Sequence, residues 1–450
     1  MSHLELAKKL TLRAKKRGAD QAEVFIEAGR DASCRVRDGE IEDLSQATSK
    51  GIGVRVFCKK RLGFAYTSDF SPASLDQMVD RAVALAKSAA PNPCAGLPGK
   101  RELASVAVRR DDGSLYDDAV ASLPPEWKIR AALEMEKAAK SVDKRISTFE
   151  SVGAGETVSE VFMASSEGFT GEFRGTVAYL YAVPVASDGT QLQTSYWVDT
   201  KRFLADLDSP ESVGREAARR AVRMLGAKKV KSQKVPVVFD PMMAASFVGG
   251  IAAAANGDAV FKKSSFLAPR LGKKIGPALL TVVDDGLLNR GLGSSPFDGE
   301  GVPTRRTSII DRGVLKSFLY DTFTARKAKT ITTGNASRGY RSMPSIGTNN
   351  LYLEAGSEHP EEIIRGVKRG LYVTAMLGHG LNIVTGEYSR GANGLWISNG
   401  ELTHPVQEVT VAGNMLEMLA GVDAVGNDLT FRGQTAAPTI RFAELTVSGE

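Results

Sequence analysis

The residues that offer chemistry in this chain are four histidines, three cysteines and a few clustered charges. The histidines are His3, His359, His379 and His404, and every gap between them far exceeds one helical turn. A zinc hydrolase built on a helix needs two histidines about a turn apart, a third ligand and a glutamate base. That spacing is absent here. His379 sits between two glycines in LGHGLNIVTGEY and reads best as a structural polar residue. Ser-His-Asp and Cys-His arrangements assemble in space, so spacing alone leaves them open. No G-x-S-x-G elbow and no G-x-x-x-x-G-K-[ST] phosphate loop occurs. The glycines of GIGVRVFCKKRLGF lie between β segments, where a dinucleotide fingerprint would need a strand-to-helix turn.

Two segments hold more. In PFDGEGVPTRR, Asp298 and Glu300 are two positions apart and would share one face of a strand. Paired carboxylates can do acid–base work. They can equally hold Arg305 or Arg306, or cap the turn that Gly299 and Gly301 make, and the structural role is the favoured reading. In TGEYSRGANGLWISNGE, Tyr388 and Arg390 stand at a glycine-bounded turn that reads as exposed, placed to contact an extended peptide. The competing reading is a packed β-hairpin.

The elements that must position these residues follow from periodicity. Apolar positions at helical spacing predict a helix over 3–17, stopped by Gly18. A strand over 21–29, a hairpin at Asp38-Gly39 and two short β segments over 51–67 come next. Ser71-Pro72 and Ser209-Pro210 open helices in the preferred cap order, and a third helix covers about 125–141. Between them, 150–206 reads as an antiparallel meander with turns at Glu167-Gly168 and Asp188-Gly189. The basic stretch AKKVKSQK marks a domain boundary, which predicts domains over 1–227 and 235–450. The chain restarts with the strand VPVVFD and a small-residue helix from Pro241 to about Ala255. Mainly β texture follows, with turns at Asp311-Arg312-Gly313 and Asn399-Gly400 and a helix near 360–369. Runs of strands with segregated helices predict an α+β fold. Its N-terminal domain is mixed α/β and its C-terminal domain mainly antiparallel and barrel-like.

Of 450 residues, 42% are hydrophobic and 24% charged, and the formal net charge is +6. The excess is concentrated, with 17 Lys/Arg against 8 Asp/Glu over 228–330. A solvated basic face is the favoured reading, and an anionic partner the alternative. Nothing resembles a zinc finger or a basic-aromatic pattern, so nucleic acid is not expected. Charges interrupt the N-terminal segment, and no run reaches the ~18 apolar residues of a membrane helix. With three cysteines at no ligand spacing, a reducing, cytoplasmic compartment is expected.

Taken together, FDGEG–PT, TTGN, TGEYSRGANGLWISNGE, EVTVAGN and VGNDL resemble the TldD/PmbA peptidase family, also called modulators of DNA gyrase. GADQAEVFIEAG and VRDGEIEDLSQATSKGIGVRVF carry the resemblance to the N-terminal part. The similarity spans about residues 5–448, and the motif TGEYSRGA looks more like the PmbA/TldE branch. The resemblance implies a metallopeptidase fold in which the TldD branch carries an H-E-x-x-x-H helix and a later cysteine as zinc ligands. On that register the matching positions here are Val248, Gly249 and Ala253, and no cysteine follows Cys94. Aliphatic and glycine side chains cannot hold zinc. The implied role is a non-catalytic subunit that pairs with a zinc-bearing TldD-type partner to degrade unfolded or short peptides. No catalytic residue, metal ligand or cofactor is expected on this chain. The alternatives are a self-sufficient homodimeric peptidase using Asp298 and Glu300, or a regulatory protein binding through its basic surface.

Overall fold

The computed structural model describes residues 1–103, 108–110 and 113–449. The first half is organised by one large sheet built from two long hairpins. Gln21–Arg37 turns at Asp38-Gly39, where φ is 52° and 81°, into Glu40–Cys58. Ile146–Ser165 turns at Glu167-Gly168 into Thr170–Ser187. Arg61–Thr67 pairs with Glu40–Cys58, and the two hairpins join through Gln21–Arg37 and Ile146–Ser165. The strands are much longer than expected, because the pattern over 30–50 is too polar to announce itself. The expected short segments over 21–29 and 51–67 are parts of them. The turn before Arg61 is made by Lys59 and Lys60, at φ 49° and 64°, without any of the usual turn residues.

Strand parity decides what each face of this sheet does. Even positions of Gln21–Arg37 point to the helices. Val24 and Ile26 pack with Leu10, Val54 and Val79 under helices His3–Lys16 and Pro72–Ser88. Further along, Cys34 and Val36 pack with Met135, Phe149 and Val213 under helices Pro125–Val142 and Pro210–Val222. The expected caps are in place, since the hydroxyls of Ser71 and Ser209 accept from Ser74 N and Ser212 N. Odd positions, Glu23, Phe25 and Glu27, face the C-terminal half instead.

The C-terminal half begins with Gln233–Phe239. This strand closes a five-stranded barrel with Ile440–Ser448, Glu401–Asn414, Glu387–Ser398 and Arg369–Leu377. Every neighbouring pair is antiparallel except Gln233–Phe239 with Arg369–Leu377. The Asn399-Gly400 turn has φ 52° and 82°, as the hairpin signal requires. The helix Pro241–Ala254 packs on the barrel core, where Phe239, Phe247 and Phe442 meet edge to face. A smaller sheet, including Val282–Asp285, Arg306–Asp311 and Leu351–Leu353, lies beside it. The α+β expectation and the barrel both hold. The helix expected over 360–369 is only Pro360–Arg365. No helix among the described residues is long and apolar enough to cross a membrane.

Candidate functional site

The helix that follows the first barrel strand starts with strong local signals. Asp240 caps it, accepting from Met243 N at 2.9 Å, and Pro241 occupies the first turn. The cap carboxylate is fully buried and held by Arg220 Nη1 at 3.1 Å. Ala244, Phe247, Val248 and Ile251 form the buried side of the helix. The other side carries Ser246, Gly249 and Ala253 at helical spacing, and it is open. A Cβ added at Gly249 would meet nothing within 4 Å, and one at Gly250 would meet the end of the Leu381 side chain. Of the three positions matched to metal ligands, Gly249 and Ala253 therefore share the open face, whereas Val248 is in the core. Among the described residues, no three His, Cys, Asp or Glu side chains converge to hold a metal. A zinc ion does not fit the donors this helix presents.

Arg390 lies on a barrel strand beside this face and donates from Nη1 to Ser246 Oγ at 2.8 Å. Tyr388 does not flank an exposed turn. It and Arg390 belong to the continuous strand Glu387–Ser398, with Tyr388 buried and its hydroxyl donating to Met376 Sδ at 2.9 Å. Burial pushes the Tyr388 phenol up to about 12, although Arg390 pulls the other way. Toward the helix N-terminus, a cleft of about 400 Å³ separates Met242 and Ala245 from Tyr196 and Trp197. The guanidiniums of Arg220 and Arg432 lie 4.0 and 4.4 Å from the Trp197 ring centre.

The histidines are scattered. His3 packs against Phe70 and Phe162, His359 precedes the helix Pro360–Arg365, His379 is exposed, and His404 lies near Trp396. Cys34 and Cys58 are buried, and burial raises both thiols.

The Asp298–Glu300 pair occupies a turn, so the two carboxylates do not share a strand face. Asp298 Oδ1 accepts from Glu300 N at 2.9 Å and Val302 N at 3.0 Å, and Oδ2 from Ala336 N at 3.0 Å. Glu300 is held by neither Arg305 nor Arg306. Its Oε1 meets Arg55 Nη2 at 2.9 Å, and its Oε2 accepts from Thr322 N at 2.8 Å. Arg55 Nε is 2.6 Å from Glu23, which in turn pairs with Arg338. All four charges of this chain, Glu300–Arg55–Glu23–Arg338, are buried where the large sheet meets the C-terminal half. Burial pushes Glu300 up, but Arg55 and the contact with Thr322 outweigh it and leave Glu300 below the usual carboxylate range. Burial and the Glu300 charge raise Asp298 against the pull of its three N–H donors. With their oxygens engaged in this way, Asp298 braces its own turn and Glu300 fastens that turn to the large sheet.

Sequence reading missed Glu23, Arg55 and Arg338. A signal existed: Glu23 and Arg55 each interrupt an apolar run, in QAEVFIE and GVRVF. A charge inside such a run points to a buried partner.

Comparison with known proteins agrees with the motifs. Models of the first, central and C-terminal domains of PmbA/TldA metallopeptidases match residues 22–86, 118–225 and 232–449. The Metalloprotease PmbA of Escherichia coli O157:H7 is 33% identical over 96% of this chain and 93% of its own length. The Metalloprotease TldD homolog of Haemophilus influenzae is 26% identical over 96% and 94%. The solved structure of a Bacteroides thetaiotaomicron protein, described as a candidate modulator of DNA gyrase, superposes with a TM-score of 0.91. It is 30% identical and covers 99% of this chain and 98% of its own. The chain therefore belongs to the PmbA/TldD metallopeptidase family.

Proposed function

We propose that this chain is the non-catalytic subunit of a peptidase complex, with a zinc-bearing TldD-type subunit as its partner and unfolded or short peptides as substrates. The observation that carries this reading is the open side of Pro241–Ala254. It presents Gly249 and Ala253, the positions matched to the base and to one ligand of a hydrolytic site, beside Ser246. Identity to a PmbA (33%) above that to a TldD homologue (26%) supports the same assignment. The chain's part is to complete an enclosing surface. Arg390 and Ser246 line the helix face, and the neighbouring cleft offers Tyr196 and Trp197 to an extended peptide. The complex would work in the cytoplasm, on chains small or unfolded enough to enter.

The test is cleavage of an unfolded casein-type substrate by the purified chain, alone and mixed with a TldD-type protein, with metal measured on each subunit. The expected result is no cleavage and no bound zinc for the chain alone, and chelator-sensitive cleavage by the mixture. Stoichiometric zinc on the isolated chain, with cleavage lost on substituting one of its own residues, would overturn the proposal.

A further inference from the structure

The buried ion pair of Arg55 and Glu300 stands at the edge of a cavity of about 330 Å³ between the large sheet and the C-terminal half. Phe57 and Leu62 line it from the sheet, and Phe323 and Met343 from the other half. The exposed residues Lys60 and Ala90 also line it, so the cavity opens to solvent on their side. Its size falls within the ~300–1,000 Å³ of pockets that take small ligands, and its position between two halves of a chain is a usual one for such a pocket.

Two polar atoms in this lining have bonding capacity to spare. Asp321 is 6% exposed, and its Oδ1 accepts from Thr324 N at 2.7 Å and Thr324 Oγ1 at 2.6 Å. No described residue bonds its Oδ2. Arg55 places Nε on Glu23 and Nη2 on Glu300, and no described residue accepts from its Nη1. Neither Oδ2 nor Nη1 is sealed off, and both residues line the cavity. Burial and the Glu300 charge raise Asp321, while Thr324 and Arg55 pull the other way.

The surrounding charges restrict what can satisfy these atoms. Arg55 is already matched by two carboxylates, and both Glu300 oxygens are engaged. Lys60 Nζ is turned to Ala95 O at 3.0 Å. Asp321 makes no ion pair among the described residues, and a buried carboxylate without a cation is costly. A simple anion would face Asp321 and Glu300. A metal ion would find no three converging His, Cys, Asp or Glu side chains among the described residues. What remains is one anionic acceptor and one donor beside apolar walls.

We infer that this cavity binds the amino end of a short peptide with an apolar first side chain. The α-ammonium sits on Asp321 Oδ2, the first carbonyl oxygen accepts from Arg55 Nη1, and the side chain lies against Phe57, Leu62 and Phe323. The rest of the peptide leaves past Lys60 and Ala90. None of the residues lining the cavity belongs to the helix Pro241–Ala254, so the site does not depend on which subunit performs cleavage.

Calorimetry and thermal shift on the full chain test it with three molecules of one shape: leucinamide, 4-methylpentanamide and isoamylamine. The measurement is made near pH 7, where an α-ammonium of pKa ~7.7–8.0 is mostly charged. Leucinamide is expected to bind saturably and to raise the melting temperature. 4-Methylpentanamide lacks the ammonium and isoamylamine the carbonyl, and each should bind weaker by roughly tenfold or more. Asp321→Asn keeps a side chain that caps the following helix as well as aspartate does, but removes the charge, so leucinamide should bind it at least about tenfold more weakly. The inference is overturned if leucinamide does not bind the native chain, if 4-methylpentanamide binds as tightly as leucinamide, or if folded Asp321→Asn keeps the full leucinamide affinity. Should that variant fail to fold, the three ligands on the native chain decide the matter.

Discussion

Arg55→Met removes one member of the buried chain of charges and keeps most of the side-chain volume. Arg55 is 4% exposed, with Glu23 at 2.6 Å and Glu300 at 2.9 Å. Glu23 keeps Arg338 as a partner in the variant, but Glu300 is left with the Thr322 N–H alone. Breaking a buried pair from one side costs about 3–5 kcal/mol, because the other charge stays buried. Glu300 can escape by binding a proton, and that route sets a ceiling. Protonating a glutamate of ordinary pKa ~4.3 at pH 7 costs about 3.7 kcal/mol, at 1.36 kcal/mol per unit. The two routes agree on a loss of roughly 3–4 kcal/mol at neutral pH. For a unit of 150–250 residues that is a fall of about 6–16 °C in melting temperature.

The sign of the pH dependence follows from the same group. In the native chain Glu300 is lowered, so its contribution is full above the unfolded pKa and fades as pH falls through the folded one. In the variant Glu300 is raised, so its cost grows as pH climbs above about 4.3. The difference between the two proteins should therefore be larger at pH 7.5 than near pH 4.5, where the variant's cost has gone but the native contribution remains. Denaturation of both proteins at the two pH values measures it, and Arg55→Met/Glu300→Gln should recover part of the loss. A loss under about 1 kcal/mol at pH 7.5, within the range of an exposed pair, would refute the reasoning. So would a loss independent of pH.

Two glycine substitutions separate packing from helix propensity. A Cβ at Gly53 would overlap the backbone carbonyl of Tyr340, which cannot yield as a side chain can, so Gly53→Ala should cost about 1–3 kcal/mol in denaturant melts. Gly249→Ala should instead stabilise by about 1 kcal/mol, because its Cβ meets open space and alanine is the better helix former. Gly249→Trp should fold equally well yet lower peptide cleavage by the mixture with a TldD-type subunit. Unchanged cleavage would mean that the open helix face is not part of the working surface.

Local signals carried far in this chain. The helices opened by Ser71-Pro72, Ser209-Pro210 and Asp240-Pro241 begin where their caps stand, since a cap satisfies neighbouring N–H groups within its own first turn. The Asp38-Gly39 and Asn399-Gly400 hairpins turn as their residues require, because only a few residue types accept positive φ at low cost. The absence of a helix-spaced histidine pair was also visible in the string alone. Length of the hairpins was not legible. Residues 40–50 are mostly polar and largely exposed on both faces, Ile41 and Leu44 included, and are held as a strand by their ladder to Gln21–Arg37.

What the sequence by itself determined was where the capped helices and tight turns begin, the family and the side-chain types on the helix Pro241–Ala254. Those depend on neighbouring residues and on side-chain type. Only the tertiary structure decided that Glu300 meets Arg55, that Tyr388 is buried, and that Glu23 holds both Arg55 and Arg338. Glu300 and Arg55 are 245 positions apart, and no local rule pairs them. Their meeting depends on which face of a strand each occupies and on how two separately formed halves dock, and both are set by burial across the whole chain.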